Sequence, residues 1–231
     1  MNTEVQAAGQ DRKAVYLLLL GVTLWSTSGL LIKESTLPAL AIVGGRSALA
    51  AIVLLIYVRR PRWTWSVAQV GGAIMLATTY ILFVVAMQLT SAASAILLQY
   101  TAPLWVALFG IWYLHERPHT LDYVTMGMIA VGMLLFFGDK LSADALLGNL
   151  LAALSGVTMA WMTLFMRKQK DGSPYETVLL GNALAAVIGL PFLFTASPTH
   201  IDWAILLFLG IFQLGAASIL QVSSLNNSDD G

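Results

Sequence analysis

The sequence predicts an all-α fold, a polytopic membrane bundle of helices. Three observations carry this reading. Hydrophobic residues make up 58% of the 231-residue chain and charged residues only 10%, whereas soluble domains carry ~25% charged residues. The apolar residues gather into eight runs, each close to the ~20 residues that a bilayer-crossing helix needs. The connections are short and hold the helix breakers: Pro38, Pro61, Pro118, Gly172–Ser173–Pro174 and Pro198.

The spans fall near 14–32, 39–58, 67–88, 92–114, 121–138, 145–166, 177–195 and 201–222. The first follows a polar stretch, 1–13, with no short apolar core and small-residue cleavage site, so it reads as its own insertion signal. The second begins after Pro38 and stops at Arg59–Arg60. The third begins beyond Trp63 and Trp65, which read with Trp203 as interfacial anchors. The fourth carries Pro103 and ends at the His115–Pro118 junction. The fifth closes at Asp139–Lys140 and the sixth at Arg167–Lys168. The seventh and eighth are separated by Pro198, and a polar tail, 223–231, follows.

Charge excludes several classes of function. Lys and Arg total 12 and Asp and Glu 12, so no basic arm is left for nucleic acid. The chain has no cysteine, which removes disulfides, thiolate metal sites and cysteine catalysis together. With the N-terminus inside, the cytoplasmic segments hold Arg12, Lys13, Arg59, Arg60, Arg62, Arg117, Arg167, Lys168 and Lys170, against Lys33 and Lys140 outside. That asymmetry predicts a multi-pass inner-membrane protein with a cytoplasmic N-terminus.

The chain also repeats itself. GVTLW at Gly21–Trp25 matches GVTMAW at Gly156–Trp161, and ALAAIV at Ala48–Val53 matches ALAAVI at Ala183–Ile188 at the same spacing. The period is five spans, an odd number, so the second copy is inverted. Inverted repeats mark many secondary transporters, with the substrate bound near mid-membrane between the halves.

The stretch SAASAILLQYTAPLWVALFGIWYLHERP, Ser91 to Pro118, pairs a central proline with a terminal glutamate. Arg46 precedes Leu49, Ala50 and Ala51 in the second span. From about Ala14 to Gly215 the chain resembles the EamA branch of the drug/metabolite transporter superfamily. The resemblance implies ten helices in two five-helix inverted repeats and movement of small metabolites or drugs across the inner membrane. On that pattern, 14–138 is the first repeat and 145–222 an incomplete second one of three helices. After Gly215 the sequence becomes AASILQVSSLNNSDDG and lacks the aromatic-rich continuation. This ending reads as a truncation or frameshift, and a homodimer or a second chain completing the bundle is the expectation it raises.

Candidate site residues follow from polarity at membrane depth. Arg46 is the one firmly intramembrane charge, and a central arginine costs roughly 2.5–3.5 kcal/mol on insertion scales. It either snorkels to the interface or caps carbonyls, or it lines the pathway; Glu34 is its nearest candidate partner. Pro103 removes a backbone hydrogen bond and frees a carbonyl near Gln99, where Gln99, Tyr100 and Thr101 cluster. Trp25, Tyr80 and Trp161 offer aromatic walls, and Ser26–Gly29 read as close-packing small residues. The expected substrate-binding set is Trp25, Arg46, Tyr80, Gln99, Tyr100, Pro103 and Trp161. The partners are the lipid bilayer and a small solute, and no cofactor is implied.

His115–Glu116–Arg117–Pro118–His119 matches HExxH, the zinc-protease pattern. That chemistry needs both histidines on one continuous helical turn, and Pro118 falls between them. GxxxxGK[ST] is absent, and no histidine lies at membrane depth to serve an intramembrane serine protease. The sequence therefore predicts a permease by alternating access. The competing reading is a non-transporting remnant or an assembly partner.

Overall fold

The computed structural model describes residues 23, 26–115, 120–137, 145–169 and 174–220. Among them the regular structure is helical throughout: α1 (Ser28–Glu34), α2 (Ala39–Val58), α3 (Val67–Leu89), α4a (Ala92–Gln99), α4b (Ala102–Tyr113), α5 (Thr120–Phe137), α6 (Leu146–Lys168), α7 (Pro174–Thr195) and α8 (His200–Leu207). A π-helix, Phe208–Ala216, continues α8. Six of the described helical segments are long and apolar enough to cross a membrane, α4a–α4b and α8 with its continuation each counting as one. The first span lies largely outside the described residues, as do Glu116 and the polar tail.

Helices are the form in which an apolar segment satisfies all its own backbone groups in lipid, and local chemistry fixes their ends. Ser66 accepts from Gln69 N to start α3, and Ser91 accepts from Ser94 N to start α4a. Helix α7 begins three residues before its expected start, because Pro174 suits a first helical position and Glu176 favours the first turn. The fourth span is broken: α4a stops at Gln99, and Pro103 lies in the first turn of α4b.

The centre is the pair α2 and α7. A Cβ built on Gly44 would collide with the backbone of Gly189, and one built on Gly189 would lie 2.5 Å from Leu40 O. Only glycine allows this backbone contact, the membrane route to tight packing where lipid removes any hydrophobic incentive. Helix α3 packs on α6 and α7, and α4a and α4b pack on α6. The π-helix lies along α2. Leu30, Ile52, Ile56, Trp112 and Phe194 point outward, as lipid-facing residues do.

Two polar ties bind the ends. At one, the Asp202 carboxylate accepts from Ser35 Oγ at 2.8 Å, Thr36 N at 2.9 Å and Thr36 Oγ1 at 2.8 Å. It also accepts from Thr199 N at 3.0 Å and Thr199 Oγ1 at 2.6 Å. At the other, Glu176 Oε1 accepts from Arg62 N at 3.2 Å, while its Oε2 is buried without a partner among the described residues.

Candidate functional site

Arg46 does not snorkel. It sits about two turns into α2, is 1% exposed, and its guanidinium carbon lies 5.3 Å from the centroid of the Tyr80 ring on α3. This cation–π contact stabilises the charge but accepts none of its in-plane N–H groups. Glu34 stands exposed at the end of α1, and no ion pair joins it to Arg46 among the described residues. The Asn182 carboxamide on α7 lies beside the Tyr80 hydroxyl. Its Nδ2 donates to Val178 O at 2.9 Å.

Four buried polar atoms on α2, α7 and the π-helix are unmet. Arg46 Nε, Ser47 Oγ, Asn182 Oδ1 and Gln213 Oε1 are all buried without a hydrogen-bond partner among the described residues. Buried polar atoms are ordinarily paired, since leaving one unmet costs about 1–3 kcal/mol. The elements that carry them pack on one another. Gly210 of the π-helix presses on α2, where a Cβ would lie 2.8 Å from Arg46 O and 2.5 Å from Leu49 Cβ. Gln213 follows on the same π-helical segment, a rare geometry frequent at functional sites. Thr79, next to Tyr80, shares a 2.8 Å hydrogen bond with Thr158 of α6.

The remaining expected residues form a second group. At the break in the fourth span, Thr101 Oγ1 donates to Leu98 O at 2.7 Å, and Trp105 Nε1 donates to Thr101 Oγ1 at 3.2 Å. Gly156 of α6 fits against this break, since its Cβ would lie 3.0 Å from Gln99 O. Gln99 is half-buried, Pro103 exposed, and Tyr100 58% exposed. Trp161 stacks on Phe109 at 5.1 Å and meets Tyr113 edge-on at 5.5 Å, and Lys168 Nζ caps that ladder 4.0 Å from the Tyr113 centroid. Trp25 lies outside the described residues.

The structure thus joins Arg46 to Tyr80, and sets the Gln99–Pro103 break and the Trp161 ladder against α6. Sequence reading missed Ser47, Asn182 and Gln213. The visible signal was an uncharged amide in mid-span, as in LFLGIFQLG. A surface basin of about 440 Å³, lined by Lys33, Ser35, Thr36, Pro38 and Gln88 among others, opens at the Asp202 end and includes none of the expected site residues. His115 lies past the end of α4b with φ 58°, so the first histidine of the HExxH match is on no helical turn.

A bundle of membrane-length helices that buries polar groups in its interior has the build of a membrane transporter. The chain belongs to the EamA-like transporter family, whose model matches residues 12–138 and 146–229. It is 27% identical over 221 residues to the pseudopaline exporter CntI of Pseudomonas aeruginosa, covering 88% of this chain and 75% of that protein. It is 22% identical to the uncharacterized transporter YxxF of Bacillus subtilis, covering 94% and 74%. The threonine/homoserine exporter RhtA of Salmonella typhimurium is 30% identical over 112 residues, covering 48% of this chain and 36% of that protein. One crystal structure shares the fold with a TM-score of 0.69 at 21% identity, covering 91% of this chain and 78% of that one. These relatives are transporters, not enzymes.

Proposed function

We propose that the chain is a secondary permease that exports a small organic solute by alternating access, with Arg46, Tyr80, Asn182 and Gln213 at the substrate site. The observation that carries the reading is the set of unpaired polar atoms buried between α2, α7 and the π-helix. The exporters among the relatives support the direction of transport. The Lys and Arg distribution supports an inner-membrane placement with the N-terminus in the cytoplasm. Gln99, Tyr100, Pro103, Trp161 and Trp25 stay in the proposal as walls of the pathway rather than as its polar centre.

The proposed architecture is an inverted repeat, 14–138 and 145–222. The two separate family matches support it, and so does the packing. Shifting each member by the Gly21-to-Gly156 spacing turns the Gly44–Gly189 contact into Leu54–Leu179, and those leucines lie in one buried cluster. The same shift exchanges the α3–α7 contact for the contact between the eighth span and α2.

The test is solute flux in everted membrane vesicles across a metabolite panel. Uptake of at least one solute is expected, with Gln213→Leu and Asn182→Leu each lowering its rate about tenfold at unchanged protein level. Flux indifferent to both substitutions sinks the site; no flux across the panel sinks the function.

A further inference from the structure

We infer that Arg46 anchors a carboxylate on the transported solute, an inference that rests on the permease reading for its site and sharpens it to a substrate class. The guanidinium is the sole cation in its cluster among the described residues. It is 1% exposed, faces the Tyr80 ring, and pairs with no described carboxylate. An unneutralised charge at membrane depth is expensive and marks a substrate or ion pathway. Here the protein supplies π-electrons but no counter-ion. The planar guanidinium matches a carboxylate fork-to-fork, and such bonds are the strong, charge-assisted kind.

The charge count selects among anions. One arginine balances one negative charge. A phosphate monoester, at −1.5 to −2, would carry a second charge into a region with no second cation to meet it. A monocarboxylate brings the cluster to neutrality. An amine or other cation is repelled.

The other unpaired atoms extend the description. Asn182 Oδ1 and Gln213 Oε1 are acceptors, and Ser47 Oγ accepts or donates. Of these, the Asn182 carboxamide lies beside the Tyr80 hydroxyl, and the class the guanidinium itself selects is a small monocarboxylic acid. The π-helix carries Gln213 three residues beyond Gly210, which presses onto the Arg46 turn.

The experiment uses the full chain in lipid nanodiscs. Threonine, phenylalanine and lactate are each compared with their own primary amide, and glycerol 3-phosphate serves as the dianion. Thermal melting followed by tryptophan fluorescence reads binding, and proteoliposome flux reads transport. At least one acid is expected to raise the melting temperature while its amide and the dianion do not. Arg46→Gln should weaken that acid about tenfold or more and bring the amide up to equal it, and Arg46→Lys should keep part of the preference for the acid. The wild-type comparison of acid with amide needs no variant, so a poorly folding Arg46→Gln leaves the test intact.

An amide that binds as well as its acid overturns the anchor, as does an acid unaffected by Arg46→Gln, or the absence of binding by all three acids. Acid binding that depends on Arg46 without flux removes the permease reading and keeps the anchor. Flux of uncharged solutes that ignores Arg46→Gln does the reverse.

Discussion

Asp202 ties two distant stretches of chain through three hydrogen bonds from Ser35 and Thr36, and accepts two more from its own cap residue Thr199, on one carboxylate that is 1% exposed. Bonds to an ionised acceptor are worth more than neutral ones, and removing the acceptor strands the hydroxyls of Ser35 and Thr36. Asp202→Ala is expected to cost about 2–3 kcal/mol, read as a lower melting temperature in detergent, with Asp202→Asn milder. The capping box of Thr199 and Asp202 is a local feature that the sequence reading passed over, two residues three apart at a helix start. The partners Ser35 and Thr36 were not legible, because nothing local says which loop a distant carboxylate will meet. Arg46 was legible in part. Its charge at mid-span marked it at once, but its direction was decided by Tyr80, a residue on another helix. Thr79 and Thr158 make a simpler case. A double-mutant cycle with valine at both positions should give a coupling of about 0.6 kcal/mol, the usual size for a hydrogen bond between membrane helices.

Elements were read more securely than residues. The second span was expected at 39–58 and is Ala39–Val58, and the third differs at one end by a single residue. Long apolar runs between breakers leave little choice. The break in the fourth span was half visible. Pro103 announced a lost hydrogen bond, whereas its shape depends on Thr101 Oγ1 bonding to Leu98 O and on Gly156 filling the gap. Thr101→Val removes that bond and the acceptor of Trp105 Nε1 together, and a loss of about 1–2 kcal/mol is expected in chemical unfolding. The π-helix was illegible, because its widened turn answers to packing on α2 rather than to any local preference in FLGIFQLGA. Gly210→Ala places a methyl group 2.5 Å from Leu49 Cβ. That overpacking should cost about 1–3 kcal/mol and reduce flux by displacing Gln213, with lower folded yield as the first readout.

At the scale of the whole molecule, the proposed repeat rests in the sequence on two short strings in matching order. One pair, Ala48–Val53 and Ala183–Ile188, lies on α2 and α7, which pack together. The proposed orientation has its own check in reporter fusions along the chain. A cytoplasmic reporter should be active after Arg62 and Lys170, and an exported one after Thr36 and Lys140; the opposite pattern reverses the topology.

The Gly44–Gly189 contact is placed unevenly along both of its helices. From Gly44 the chain of α2 runs ~8 Å to Ala39 but ~21 Å to Val58, and α7 runs ~9 Å from Gly189 to Thr195 but ~22 Å back to Pro174. Both long arms therefore reach towards the Glu176 end, and both short arms towards Asp202. A rigid rotation of about 10° about the glycines would carry the long tips about 4 Å and the short tips about 1 Å. The crossing is a fulcrum set off-centre, and such a rotation would move the Asp202 end, tied across the chain by three hydrogen bonds, less than the Glu176 end.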